Sequence, residues 1–270
     1  MNLAFIGGGN MASALIGGLV NDGVDARGFR VVEPMAEQHD RLAARFPGIG
    51  IFADVTRGAI DGAELVVLAV KPQQMRDAAM ALAPFVVDVP VVMSIAAGTR
   101  ITDLTQWLGG YSRIVRAMPN TPALVGAGVS GIFAPPEVSA ASRELARRVL
   151  EAAGAVVAVD AEAMLDAVTG ISGSGPAYVF YFLEALEQAA RELGFSAADA
   201  RTLSYGTFAG AIKLAQASDL EPGILRAQVT SKGGTTERAL ATLESGHVKT
   251  LVIAAAKAAA ERAREMGEGA

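Results

Sequence analysis

The stretch Leu3-Ala4-Phe5-Ile6-Gly7-Gly8-Gly9-Asn10-Met11-Ala12 decides the fold. Its apolar start, Leu3-Ala4-Phe5-Ile6, reads as a short buried strand, and Gly7-Gly8-Gly9-Asn10-Met11-Ala12 follows it directly in the pattern G-x-G-x-x-A. In that pattern the first glycine permits a tight turn and the second lets backbone approach a pyrophosphate. The alanine allows a helix to pack closely on the strand. Helical spacing over residues 11–20 completes a strand, a glycine turn and a helix, the setting in which the motif marks a dinucleotide site.

Reading outward, residues 29–33, 65–70, 91–95 and 113–117 are strand-like and rich in branched side chains. They are too apolar to have a wet face, as buried parallel strands are. Helical spacing fills the gaps at 37–46, 73–85 and 102–108, and this alternation predicts a doubly wound sheet. A strand at 128–133, a helix over 139–153 and a strand at 155–159 complete a Rossmann domain, residues 1–160.

Glu33 ends the second strand. An acid there accepts hydrogen bonds from the adenosine ribose hydroxyls and repels a 2′-phosphate, which favours NAD; the alternative is a solvated strand end. Arg41 and Arg45 in the next helix leave the choice between NADH and NADPH open. Ala69-Val70-Lys71-Pro72 and Ile95-Ala96-Ala97-Gly98 end later strands, at the sheet edge where open α/β folds bind ligands. Their small residues suit a flat nicotinamide lying against backbone. Lys71 reads equally as a site residue and as a solvated loop lysine.

Strand signals stop after Asp160. Residues 176–193 read as one helix, with Pro176 in its first turn and Gly194 as its stop. Ser196 with Asp199 forms a capping box for a helix over 197–217. Pro222 starts a short helix, a further helix begins at Glu237, and 248–266 closes an all-helical domain, residues 161–270. Tyr178-Val179-Phe180-Tyr181-Phe182-Leu183 and Leu251-Val252-Ile253-Ala254-Ala255-Ala256 have no polar face, the mark of a buried helix. A helical segment of roughly a hundred residues is too small to bury that surface alone. It predicts a dimer built by packing or swapping helices; a well-buried central helix is the alternative.

Between the last helices lies Ser231-Lys232-Gly233-Gly234-Thr235-Thr236-Glu237. Two glycines free the backbone and two threonines bring hydroxyls to a helix start, where unpaired N–H groups attract an anion. A small carboxylate suits it best. Ser172-Gly173-Ser174-Gly175-Pro176 lacks the strand-to-helix setting of a nucleophile elbow and reads as a cap for the long helix.

Composition narrows the chemistry. The chain has 270 residues, 51% of them hydrophobic, and a net charge of −5. Nucleic-acid binding is therefore disfavoured. Cysteine is absent and the two histidines, His39 and His247, lie far apart, so neither thiol chemistry nor a catalytic metal is expected. No apolar run reaches the ~20 residues of a membrane span. A soluble cytoplasmic protein is expected.

Four stretches together resemble the pyrroline-5-carboxylate reductase family: Phe5-Ile6-Gly7-Gly8-Gly9-Asn10-Met11, Ala69-Val70-Lys71-Pro72, Arg116-Ala117-Met118-Pro119-Asn120-Thr121-Pro122, and Gly170-Ile171-Ser172-Gly173-Ser174-Gly175-Pro176-Ala177-Tyr178. The segment 222–244 looks like the family's signature. The resemblance implies a Rossmann domain followed by a helical dimerisation domain, with dimers often forming decamers. It implies reduction of 1-pyrroline-5-carboxylate to L-proline by NADPH or NADH, with Ile6, Gly7, Gly9, Asn10, Met11, Glu33, Ala69, Val70, Lys71, Pro72, Ile95 and Ala97 at the cofactor.

The same resemblance puts the substrate carboxylate on the backbone of Gly233, Gly234, Thr235 and Thr236, beside Ser231. Thr236 hydrogen-bonds the ring nitrogen. Gln228 and Val229 line the pocket near the nicotinamide, and Glu162 matches an acidic position near the cofactor. Three positions depart from the family pattern. Lys232 replaces a usual proline, Thr56 an asparagine near the adenosine phosphate, and Glu33 the small or basic residues of NADP-preferring members.

A protonated cyclic imine already accepts hydride well, so such an enzyme needs mainly positioning, which contributes ~7–11 kcal/mol. A threonine hydroxyl is too weak an acid to do more than orient, and Thr236 is assigned that part, with helix capping as its other reading. Two other functions fit the chain: a related hydroxyacid or imine reductase, and a non-catalytic dinucleotide-binding protein. We expect the glycine–threonine run to meet the cofactor across a dimer interface.

Overall fold

The computed structural model describes residues 1–268. Eight strands form one sheet in the order β3-β2-β1-β4-β5-β6-β7-β8. They are β1 (Leu3–Ile6), β2 (Phe29–Val32), β3 (Gly50–Phe52), β4 (Leu65–Leu68), β5 (Val92–Ser94), β6 (Ile114–Met118), β7 (Gly128–Phe133) and β8 (Gly154–Ala158). Helices α1 (Asn10–Asn21), α2 (Ala36–Arg45), α3 (Arg57–Ile60), α4 (Pro72–Leu82), α5 (Ile101–Trp107) and α6 (Ala140–Glu151) connect them.

The doubly wound sheet is present, with two departures from the sequence reading. β3 and α3 lie in a stretch that gave no periodic signal. β3 is three residues long and half-buried throughout, so neither length nor alternation marks it. The other departure is direction: β7 runs antiparallel to β6, whereas every other pair is parallel. Only a short 3₁₀ turn, Thr121–Val125, links the two, and a parallel return needs a crossover of about a dozen residues or more.

Alternation on β1 explains the layering. Leu3 and Phe5 join a core with Leu15, Leu19, Phe29 and Met93 on one face. Ala4 and Ile6 join Leu68, Met75, Leu82 and Ile114 on the other. Each fully buried large side chain contributes about 1.5–3 kcal/mol over its exposed state, so the central strands anchor the sheet from both sides.

The described chain falls into two compact units: Met1–Ser174 with residues 257–268, and Gly175–Ala256. The sequence-based boundary at residue 160 lies earlier. Helix α7 (Met164–Val168) explains the difference, because it packs on β6 and β7 with Leu165 buried. Val168 fills the space above Gly131, where an added Cβ would stand 2.7 Å from its Cγ1.

The second unit consists of α8 (Gly175–Glu192), α9 (Ala197–Gln216), α10 (Pro222–Gln228), α11 (Thr235–Ser245) and the first part of α12 (Val248–Glu268). Ser196 caps α9 as expected, its Oγ accepting from Asp199 N at 3.1 Å and donating to Asp199 Oδ2. The unit has almost no interior of its own: Leu183, Ala200 and Ser204 are its buried side chains. Phe180 is 62% exposed, Tyr181 70% and Leu251 61%. A well-buried central helix is therefore not what one copy contains.

Ser172 of the serine–glycine run does not cap the long helix. Residues Thr169–Gly173 form a π-helical turn, with Ser174 N donating to Thr169 O at 2.8 Å. Ser172 Oγ donates back to Val168 O at 3.1 Å. Helix runs from α7 through Gly173, and Ser174 stands immediately before the start of α8 at Gly175.

Candidate cofactor and substrate sites

The carboxyl ends of β1, β2 and β4 frame a cleft of about 560 Å³ whose lining includes Ile6, Gly7, Gly9, Glu33, Met35, Asp54, Ala69, Val70 and Lys71. Gly7 builds its floor. Its φ of +100° is open to glycine, and a Cβ would stand 2.8 Å from Ala69 O. Its N–H donates to Val32 O at 2.8 Å, holding the turn against β2. Gly9 caps α1 without any side-chain bond, and a Cβ there would meet nothing within 4 Å. The first turn of α1, which carries Asn10 and Met11, thus has unpaired N–H groups and open space before it. That fits a pyrophosphate.

Glu33 stands at the rim, 8% exposed. Its Oε2 accepts from Gly8 N at 2.9 Å and its Oε1 from Met35 N at 3.0 Å. The His39 ring meets its carbonyl oxygen at 2.6 Å. On the β4 side Lys71 is the N-cap of α4, with Pro72 in the first turn. Thr56 precedes α3 as an exposed residue and does not line the cleft; its neighbours Asp54 and Val55 do. Met35, Gln38 and Gln74 also line it, and the sequence reading did not single them out. Their signal was position: each closely follows the carboxyl end of a strand that borders the cleft.

Ile95 and Ala97 follow β5 and lie outside the cleft lining. Their loop is held by a part-buried ionic network. Glu162 Oε1 accepts from Ile101 N at 2.8 Å and from Arg116 Nη1 at 2.7 Å. Arg100 Nη2 donates to Asp166 Oδ2 at 2.7 Å. Arg116, on β6, is 3% exposed and its Nε has no partner. Burial pulls its guanidinium below the usual arginine range, and the Glu162 carboxylate opposes that shift. Glu162 therefore ties the β5 loop to β6 and is not part of the cleft lining. Asn120 adds a second tie, donating to Ser172 O at 3.0 Å and accepting from Val129 N at 2.8 Å.

The substrate candidates lie in the helical unit. Gln228 ends α10, with Val229 and Ser231 exposed after it. Gly233 has φ +73°, and its N–H donates to Glu237 Oε2 at 2.7 Å. Helix α11 starts at Thr235, two residues before the expected Glu237, with Gly234 as an N-cap that has no side-chain bond. Thr236 is therefore inside the helix and is not its cap. Among the described residues, neither threonine hydroxyl has a partner within the chain, and the Gly234 backbone approaches Ser231 so closely that a Cβ would stand 2.4 Å from its Oγ. Two hydroxyls beside unpaired helix N–H groups are a candidate anion site. Among the described residues no cluster of metal-ligating side chains is present.

Comparison with known proteins gives the context of these sites. Residues 162–266 match the family model for pyrroline-5-carboxylate reductase dimerisation, and residues 2–98 match that for NADP oxidoreductase, coenzyme F420-dependent. The pyrroline-5-carboxylate reductase of Pseudomonas aeruginosa is 44% identical over 98% of this chain and 97% of its own. A solved pyrroline-5-carboxylate reductase from Coxiella burnetii superposes with a TM-score of 0.91 at 39% identity, covering 98% of each chain. A pyrroline carboxylate reductase of Plasmodium falciparum, solved with NADP bound, gives 0.88 at 28% identity over 99% of this chain and 98% of its own. Similarity at 44% identity over nearly the whole of both chains shows it: the chain belongs to the pyrroline-5-carboxylate reductase family.

Proposed function

We propose that this chain carries out its family's reaction, reduction of 1-pyrroline-5-carboxylate to L-proline with NADPH or NADH, the last step of proline biosynthesis. The observation that carries the reading is the pairing, in one chain, of the glycine cleft with the exposed Gly233–Thr236 anion site. NAD(P)H, when bound, supplies the hydride. The chain's own residues bind and orient. Gly7, Gly9 and the first turn of α1 receive the pyrophosphate. The Gly233–Thr236 backbone takes the substrate carboxylate, and Thr236 Oγ1 contacts the ring nitrogen. Gln228 and Val229 border the nicotinamide side, and the Glu162–Arg116 pair fixes the β5 loop.

In this reading residues 1–160 serve the cofactor and 161–270 serve substrate and self-association. A second copy covers the open apolar faces of α8 and α12, and the glycine–threonine run of one copy completes the cofactor site of the other. Dimers assemble further into decamers, as the family resemblance implies, and the enzyme works in the cytoplasm. The net charge of −5 speaks against a nucleic-acid partner. No described helix is long and apolar enough to cross a membrane. The test is oxidation of NADH and of NADPH, followed separately with 1-pyrroline-5-carboxylate. Turnover with at least one supports the proposal; turnover only with other imines or hydroxyacids contradicts it.

A further inference from the structure

We infer that this chain selects NADH over NADPH and that Glu33 imposes the selection; the inference rests on the cleft being the dinucleotide site. Glu33 is fixed at four points. Its N–H donates to Phe52 O at 2.8 Å, its carbonyl meets the His39 ring at 2.6 Å, and its two carboxylate oxygens accept from Gly8 N and Met35 N. The side chain cannot swing aside without stranding two N–H donors, one of them in the glycine turn itself. Each oxygen accepts one N–H and keeps a further lone pair. Lone pairs suit the hydroxyl donors of a ribose diol. A 2′-phosphate brings acceptors and negative charge instead.

The surroundings offer little to offset that charge. Among residues lining the cleft, Glu33, Asp54 and Asp77 carry carboxylates and Lys71 is the one cation. The cations of α2 do not help. Arg45 lies over the Phe46 ring at 5.2 Å and lines a different depression with Gly17, Gly18 and Asn21. Arg41 is exposed and does not line the cleft. Arg30 of β2 donates to Asp61 O at 2.6 Å and to Gly58 O at 3.4 Å. The backbone N–H of Met35 is engaged by Glu33, and the first turn of α2 carries Glu37. Between β2 and β3 no lysine or arginine lines the cleft; the side-chain donor there is the neutral amide of Gln38.

The experiment is calorimetric titration of the full-length protein with NADH, NADPH, 5′-AMP and 2′,5′-ADP, at low and high salt. NADH and 5′-AMP are expected to bind at least about tenfold more tightly than their 2′-phosphorylated counterparts. That ratio narrows with salt, as screening weakens repulsion. E33Q removes the charge and keeps one acceptor, and it is expected to bring the ratio near unity. Wild-type protein that binds NADPH as tightly as NADH overturns the selection, and this arm needs no variant to fold. A ratio unchanged in folded E33Q overturns the assignment to Glu33. Failure of all four ligands to bind overturns the cleft reading itself.

Discussion

Phe5 on β1 is fully buried, whereas Phe180 on α8 is 62% exposed, although both lie in runs of equally apolar sequence. The sheet unit covers β1 with residues from its own helices on both faces. The helical unit lays its apolar residues on α8 and α12 open, in a groove lined by Tyr178, Tyr181, Phe182, Leu251 and Val252. Apolarity in the sequence signals that a surface is buried. It does not say which chain buries it. The sheet unit answers from within; for the helical unit the proposed answer is a second copy.

The largest effect is expected inside the self-sufficient unit. Glu162→Ala leaves the buried Arg116 guanidinium without its carboxylate partner, and such a loss costs about 3 kcal/mol. Urea unfolding checks this, and a loss under ~1 kcal/mol would show that the pair is not what holds β6 to the β5 loop. Next comes Phe180→Asp in the helical unit. A carboxylate in a surface that must become dry is expected to weaken self-association at least about a hundredfold, or ~2.7 kcal/mol. Sedimentation equilibrium reads it, and an unchanged dissociation constant would mean that α8 faces water in the assembled protein.

Third, Thr236→Ala is expected to lower the rate of imine reduction about tenfold, roughly 1.4 kcal/mol of barrier. Because its hydroxyl bonds nothing among the described residues, thermal stability should stay put; unchanged kinetics would remove Thr236 from the site. The smallest effect compares two like caps. Ser139 Oγ accepts from Ser142 N at 3.1 Å in the sheet unit, and Ser196 Oγ accepts from Asp199 N at 3.1 Å in the helical one. Each Ser→Ala change is expected to cost about 1 kcal/mol. The loss at Ser196 should depend on protein concentration, since that unit's stability is tied to association, and the loss at Ser139 should not. Equal concentration dependence would erase the distinction between the units.

Much of this was legible in the sequence, for local reasons. Residues 3–6 and 128–133 form the predicted strands at the predicted bounds, the first stopped directly by Gly7 and the second shortly before Pro135. Gly7 and Gly9 stand where the fingerprint puts them. What was not legible is non-local or carried by short segments. β3 is too short to show a period. The antiparallel turn of β7 leaves no mark on its hydrophobicity, and only the length of the 119–127 link reveals it. Glu162 meets Arg116 from 46 positions away, so its place by the β5 loop comes from the tertiary fold. Thr236 missed its cap role by two residues, a shift within ordinary uncertainty for helix starts.

The claim that two copies complete one site is tested most directly by mixing two variants that each disable one half. Gly9→Asp puts a carboxylate where the pyrophosphate binds, in space that holds no other atom within 4 Å. Thr236→Asp puts one at the carboxylate site, in the first turn of α11, where an acid favours the helix. Each alone should be inactive. Co-expressed, random pairing gives mixed dimers in which one site carries both changes and the other neither, and roughly a quarter of wild-type activity should return. Activity no higher than that of either variant alone would place the whole site within one chain and contradict the account.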